Sequence, residues 1–170
     1  MNMSFKEVNV NTLAFNPFEK IGKEWMLITA GTQEKCNTMT ASWGGAGVLW
    51  GKNVATAYIR PQRYTKEFVD AQDTFSLTFF DEKYRKALSL CGSTSGRDHD
   101  KIQAAGLTPC FIDGTPAFEE ASLILICKKM YHDDIRPENF DIPENDIMWY
   151  PEKDYHVMYI AEIVKALVKE

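Results

Sequence analysis

A mainly β fold, a barrel or a sandwich with short connecting helices, is what this 170-residue sequence predicts. Three observations carry that expectation. Short runs rich in β-branched and aromatic residues recur along the chain. Helical spacing of apolar residues is confined to short pieces between those runs. No internal repeat or low-complexity linker interrupts the sequence, so residues 1–170 read as one domain, long enough to bury its own core.

The first run is Trp25 to Thr32 (WMLITAGT), and the second is Thr38 to Trp43 (TMTASW). Alternate side chains of a strand take opposite faces. Thr38, Thr40 and Ser42 then form a hydroxyl row, with Met39, Ala41 and Trp43 as the apolar row behind it. Gly44 and Gly45 follow, and are expected to turn the chain away without crowding a ligand. The third run is Val54 to Ile59 (VATAYI). After Arg60-Pro61, residues Tyr64, Phe68 and Ala71 recur at helical spacing, with Pro61 suited to the first turn.

Thr74 to Phe80 (TFSLTFF) reads as the next strand. Tyr84, Ala87, Leu88 and Cys91 then repeat at i, i+3, i+4 and i+7 before Gly92. A third helix is expected from about Arg97 to Ala105, with Gly106 as its stop. Ser122 to Met130 (SLILICKKM) is a strand, and so is Tyr155 to Leu167, where His156-Val157-Met158-Tyr159-Ile160 favours strand over helix. Between them, Asp133 to Asp154 holds Pro137, Pro143 and Pro151, many acids, and Phe140, Trp149 and Tyr150. A loop so long is functional or partly disordered in a compact domain, and its aromatics favour an ordered flap or a subunit-contacting arm.

A net charge of −5 argues against a general nucleic-acid surface, which rests on a basic patch. It leaves room for a small anion held by a few local cations or a helix N-terminus. Cys36, Cys91, Cys110 and Cys127 form no C-x-x-C pair, so a zinc or thioredoxin-type site is not indicated. No signal-peptide pattern and no apolar run of membrane-spanning length is present. Reduced, buried cysteines in a cytoplasmic protein without a membrane partner are the expectation.

The densest chemical constellation is Ser93-Thr94-Ser95-Gly96-Arg97-Asp98-His99-Asp100-Lys101. Ser95 and Asp98 have the spacing of a capping box, whose helix would expose free N–H groups. With Gly96 for close approach, the hydroxyls of Ser93 and Ser95, and cations at Arg97 and Lys101, these are the parts of a phosphate site. A capped surface helix with solvated charges is the plainer reading of the motif alone. A second cationic spot is Arg60 with Arg63, Tyr64 and Thr65, although Arg63 could simply pair with Glu67 at i, i+4. Two such strand-to-helix junctions favour one anion held between them.

Other motifs carry less. Gly92-Ser93-Thr94-Ser95-Gly96 has Thr94 where a nucleophile elbow needs serine, and follows a helical run. His132-Asp133-Asp134 lacks a second ligand pair for a metal, and a solvated turn is the better reading. His156 reads as a structural histidine, or as a residue at a pocket mouth that orients a cofactor or donor.

Taken in order, Asn37-Thr38-Met39-Thr40-Ala41-Ser42-Trp43, Arg60-Pro61 with Tyr64-Thr65, and Ser95-Gly96-Arg97-Asp98-x-Asp100-Lys101 resemble the flavin reductase-like, FMN-binding split-barrel family. His156-x-x-Tyr159-Ile160-x-Glu162-Ile163 is similar to that family's final barrel strand. The resemblance spans about residues 20 to 165. It implies a six-stranded antiparallel split β-barrel, a homodimer, and FMN near the subunit interface. It also implies NADH or NADPH as donor, with free flavin or another acceptor receiving the electrons.

By the same resemblance, Thr38, Met39, Thr40, Ala41, Ser42 and Trp43 line the isoalloxazine. Arg60, Tyr64, Thr65, Ser93, Ser95, Gly96, Arg97 and Lys101 hold the ribityl chain and phosphate, and His156 lies near the cofactor. Ala161 stands where the family often has glycine, and residues 133–154 have no counterpart in the pattern. No G-x-G-x-x-G fingerprint is present. That leaves a second class of function: an FMN electron carrier or binding module, flavoredoxin-like, without its own NAD(P)H reaction.

Overall fold

The computed structural model describes residues 5–170. Ten strands form among them: β1 (Phe5–Val8), β2 (Met26–Gly31), β3 (Cys36–Ala41), β4 (Gly44–Leu49), β5 (Lys52–Ile59), β6 (Thr74–Phe79), β7 (Pro109–Ile112), β8 (Thr115–Phe118), β9 (Leu123–Asp134) and β10 (Val157–Lys169). Five helices connect them: α1 (Pro17–Lys20), α2 (Tyr64–Ala71), α3 (Arg85–Ser93), α4 (Lys101–Ala104) and α5 (Pro143–Trp149).

The main sheet runs β3-β2-β6-β9-β10-β5-β4, every pair antiparallel, with β1 added to the far end of β10. Its two end strands, β3 and β4, are joined by only Ser42 and Trp43. Laid flat, seven strands would put them about 29 Å apart, whereas so short a connection reaches about 11 Å. The sheet must therefore curl round on itself. Ile28, Met39, Ala57, Leu77, Leu125 and Tyr159, one from each of six strands, meet in a single buried cluster inside it.

Strand β9 explains its own unbroken apolar sequence. Leu123, Leu125 and Cys127 face the barrel interior, while Ile124 and Ile126 join a second cluster on the outside with Leu27, Leu88, Ile102 and Phe118. A strand buried on both faces loses the usual alternation. The β7–β8 hairpin, α3 and α4 supply the cover for that second cluster.

The fold class matches the sequence reading, and several elements differ from it. Where six barrel strands are expected, the main sheet has eight, and the β7–β8 hairpin forms a separate sheet. Gly44 and Gly45 do not turn the chain away; they begin β4, which forms a hairpin with β5. Glycine is required at Gly44 by packing, since a Cβ there would lie 2.8 Å from the Thr56 carbonyl and 3.0 Å from Met26 Cε. Pro61 stands in a turn before α2, which starts at Tyr64. The expected helix over 97–105 shortens to α4, capped by Asp100, whose carboxylate accepts from the Gln103 N–H at 3.1 Å. Ser95 closes a turn instead, accepting from the Arg97 N–H through its hydroxyl and from Asp98 and His99 through its carbonyl.

Segment 133–154 is ordered as a flap. It completes β9, passes through a 3-10 turn at Pro137–Asn139 and forms α5 before Tyr150 buries itself against the barrel. Ala161 is fully buried in the barrel core beside a bulge in the β9–β10 ladder at Ile160/Ala161. Cys91, Cys110 and Cys127 are buried, Cys36 is half-buried, and all four are free thiols. No helix among the described residues is long and apolar enough to cross a membrane.

Candidate functional site

The site is built where β5 gives way to α2, opposite the C-terminal end of α3. Two small cavities meet there, of about 160 and about 210 Å³, and Arg63 borders both.

The smaller cavity lies between Gln62–Thr65 and Gly92–Gly96, with Lys101 at its base and no carboxylate among its lining residues. Arg63 Nη1 donates to the Gly92 carbonyl at 3.1 Å, whereas Nη2 is cut off from solvent without a partner. Burial lowers the Arg63 pKa. Lys101 is buried too, and its Nζ donates to the carbonyls of Cys91 and Thr94, each at 2.9 Å. Burial first, then the neighbouring Arg63 charge, brings its pKa down to about 8. Two desolvated cations side by side are costly unless an anion joins them.

The wall of this cavity requires its glycine. A Cβ on Gly96 would stand 2.0 Å from Asn37 Oδ1, and Asn37 in turn donates to the Thr65 hydroxyl at 2.9 Å. Gly92 lets α3 approach β3, since a Cβ there would come within 3.2 Å of the Thr40 Cβ.

The larger cavity is bordered by Met39–Trp43 on one side and by Tyr58, Arg60, Arg63 and His156 on the other. Trp43 is 40% exposed and stands edge-on to Trp149 at 5.2 Å between ring centroids, with the His156 ring 5.1 Å away. His156 Nδ1 is 2.8 Å from the Tyr150 hydroxyl. Burial, then the Arg60 charge, lowers the His156 pKa to about 4, with Asp154 opposing, so the ring is neutral at pH 7.

The fold brings Thr40, Ser42, Trp43, Arg60 and His156 to one cavity, and Tyr64, Thr65, Ser93, Ser95, Gly96 and Lys101 to the other. The hydroxyl row is not wholly open to either. Thr38 is fully buried, its hydroxyl 2.8 Å from that of Thr29 and 3.1 Å from the Ile28 carbonyl. The Thr40 hydroxyl donates to the Leu88 carbonyl, and Ser93 donates back to Ser89 in its own helix at 3.0 Å. Met39 and Ala41 pack in the barrel core and show only an edge to the cavity.

The cations divide unequally. Arg60 is 2.5 Å from the Asp154 carboxylate, donates to the Trp149 carbonyl at 2.8 Å, and lies over the Tyr150 ring at 5.1 Å. It clips the flap to the barrel. Arg97 pairs with Glu67, donates to the Gln62 carbonyl at 3.2 Å, and covers the Tyr64 ring at 4.6 Å. Because Glu67 goes to Arg97, it does not neutralise Arg63. The sequence places Arg63 in the second cationic spot but lets it pair with Glu67, and Asn37 enters only in the resemblance motif. Neither is assigned there to hold the cofactor, and the structure brings Arg63 to the smaller cavity and Asn37 to its wall at Thr65 and Gly96. Gly96, read as a glycine for close approach, is the local signal for Asn37, and no local signal points to the Gly92 carbonyl that receives Arg63.

Residues 18–170 match the family model described as flavin reductase like domain. The chain belongs to that family. Solved structures of similar fold include an FMN-binding domain of a flavin reductases-like enzyme from Shewanella baltica, at 20% identity and a TM-score of 0.70, over 97% of this chain and 77% of that one. A flavoredoxin from Methanosarcina acetivorans aligns at 19% identity and a TM-score of 0.68, over 97% and 76%. An NADH:FAD oxidoreductase from Streptomyces globisporus aligns at 13% identity and a TM-score of 0.63, over 84% and 74%. No curated protein sequence matches this chain.

Proposed function

We propose that this flavin reductase-family protein is an FMN-binding oxidoreductase that takes hydride from NADH or NADPH and passes electrons to free flavin or another acceptor. One observation carries the FMN reading: Arg63 and Lys101, two desolvated cations without a carboxylate, adjoin an aromatic-walled cavity through a shared residue. A phosphate fits the first and a planar ring edge the second. The orphaned Arg63 Nη2 and the side-chain-free wall at Gly96 are the fit on the protein's side.

In this reading Arg63 and Lys101 hold the phosphate, with Ser93, Ser95 and the Gly96 backbone around it and Arg97 at the rim. Thr65 and Tyr64 flank the ribityl chain. Thr40, Met39, Ala41, Ser42 and Trp43 border the ring, with His156 opposite; Thr38 supports that strand from within. FMN, when bound, supplies the hydride and electron chemistry. The protein's part is to bind, orient and shield, with Trp43 and Trp149 excluding water from one side. No side chain is required as a general acid.

The flap and its surroundings expose Trp43, Ile142, Ile147, Met148 and Trp149. An apolar group of this kind supports a homodimer, with the second copy seated beside the ring cavity.

The lack of a dinucleotide fingerprint favours a second reading, an FMN carrier with no pyridine-nucleotide reaction of its own. One anaerobic experiment separates the two. The purified protein, loaded with FMN, is mixed with NADH or NADPH while the visible spectrum is followed. Rapid bleaching supports the reductase; bleaching by dithionite alone supports the carrier. A protein that takes up no FMN overturns both.

A further inference from the structure

The flap segment contributes a residue that bears on the ring cavity through His156 and that no motif indicated. Tyr150 is buried, and its hydroxyl lies 2.8 Å from His156 Nδ1. The two rings stand edge-to-face at 5.6 Å, and the Tyr150 ring is fixed from the other side by the Arg60 guanidinium and by Tyr155 at 4.8 Å. His156 is held as well: its carbonyl accepts from the Ile135 N–H at 2.9 Å, and its ring packs on Trp43. Its other nitrogen, Nε2, has no hydrogen-bond partner among the described residues, and the ring borders the larger cavity.

The direction of the Tyr150–His156 bond follows from acid and base strength. A phenol is a far stronger acid than a neutral imidazole N–H, and an imidazole lone pair is a far stronger base than a phenol oxygen. The hydroxyl therefore donates to Nδ1, which places the imidazole hydrogen on Nε2. Arg60, Arg63, Asp154, Tyr58 and Tyr150 are the charged or titratable groups around the ring and its cavity. Burial and Arg60 outweigh Asp154 and keep the imidazole neutral across the neutral range, where the Tyr150 bond selects between its two tautomers.

We propose that Tyr150 is a positioning residue that fixes His156 as the Nε2–H tautomer, so that a hydrogen-bond donor faces the acceptor edge of a planar heterocycle in the ring cavity. The ligand part rests on the flavin reading above; the tautomer part does not. A fixed donor favours a ring carbonyl or an unprotonated ring nitrogen and disfavours a protonated one. The segment that looked like a surface flap thus sets the polarity of the cavity wall.

The test uses the full chain labelled with ¹⁵N at histidine, first without ligand, then with lumiflavin, which has the ring but no phosphate. Wild type is expected to show one neutral tautomer at His156, with Nδ1 of the lone-pair type and Nε2 of the N–H type. Tyr150→Phe is expected to give a mixture of tautomers and to weaken lumiflavin by about three- to tenfold, the value of one hydrogen bond. An Nδ1–H tautomer in wild type overturns the proposal, even if the variant fails to fold. So does an unchanged tautomer with unchanged lumiflavin affinity in the variant. If wild type takes up neither lumiflavin nor FMN, the flavin reading falls, and the nitrogen shifts still decide the role of Tyr150.

Discussion

Arg60 and Arg63 stand three positions apart at the same strand-to-helix junction, and the fold treats them in opposite ways. Arg60 has a carboxylate, a carbonyl and an aromatic face, all from the flap. Arg63 has one carbonyl and an orphaned nitrogen, with Lys101 as its neighbour. A compensated cation holds structure together, while an uncompensated one is available to a ligand. The contrast is testable because FMN and riboflavin differ by the phosphate alone.

The largest effect is expected from Arg63→Met with Lys101→Met. Each charge-assisted hydrogen bond to the phosphate contributes about 1.5–3 kcal/mol, so together their loss weakens FMN by about a hundredfold or more. Riboflavin binding changes little. Thermal melts of the ligand-free double variant should show little net change, because relief from two desolvated neighbouring cations offsets the lost bonds to the Gly92, Cys91 and Thr94 carbonyls. Equal weakening of both ligands in titration calorimetry would take the pair out of the phosphate role.

Arg60→Ala is the counter-experiment. Losing a partly exposed ion pair, a carbonyl contact and a ring contact destabilises the flap by about 1–2 kcal/mol. Amide exchange over residues 143–154 should quicken, while the ratio of FMN to riboflavin affinity stays within about twofold of wild type. A selective loss of FMN would return Arg60 to the phosphate.

The same contrast marks what could be read from the chain. Strands with strong β composition were legible, and so were α2 and α3, because local spacing decides them. Strand β4 was hidden by Gly44, Gly45 and Gly47; Gly44 and Gly45 pack against residues of other strands rather than turn, while a Cβ on Gly47 would meet nothing within 4 Å. The helix over 97–105 was misread because Ser95 and Asp98 have capping-box spacing, whereas Ser95 closes a turn and Asp100 caps the shorter helix. Arg63 looked neutralised by Glu67 in its own helix, but Arg97 from beyond α3 takes that carboxylate. Arg60 looked free, and its partner Asp154 arrives from the end of the flap. Charge pairing between distant segments leaves no periodic trace, and it decides which cation is free.

Titration sharpens the uncompensated side. An unfolded lysine keeps its proton to about 10.5, whereas Lys101 in the fold releases it near 8. Between those values the unfolded chain binds more protons, so ligand-free stability rises with pH over that window. A bound phosphate raises the Lys101 pKa again, and FMN affinity should fall as pH rises through about 8, by up to about tenfold per unit. Riboflavin should show no such slope. A flat FMN profile from pH 7 to 10, measured by fluorescence quenching, would contradict a titrating lysine at the phosphate.

Arg97 falls between the two extremes and gives the smallest effect. Its pair with Glu67 is exposed on both sides, so the pair is worth about 0.2–1 kcal/mol. Glu67→Gln frees the guanidinium beside Gln62 and Tyr64, two lining residues of the smaller cavity, while leaving its contacts to both. FMN should then bind about twofold more tightly at low salt, with riboflavin unaffected, and the gain should vanish at high salt. Weaker FMN binding would mean that the ion pair props the Ser95–Asp100 turn rather than competing with a ligand. Arg97 would then belong with Arg60, among the cations that hold the site together.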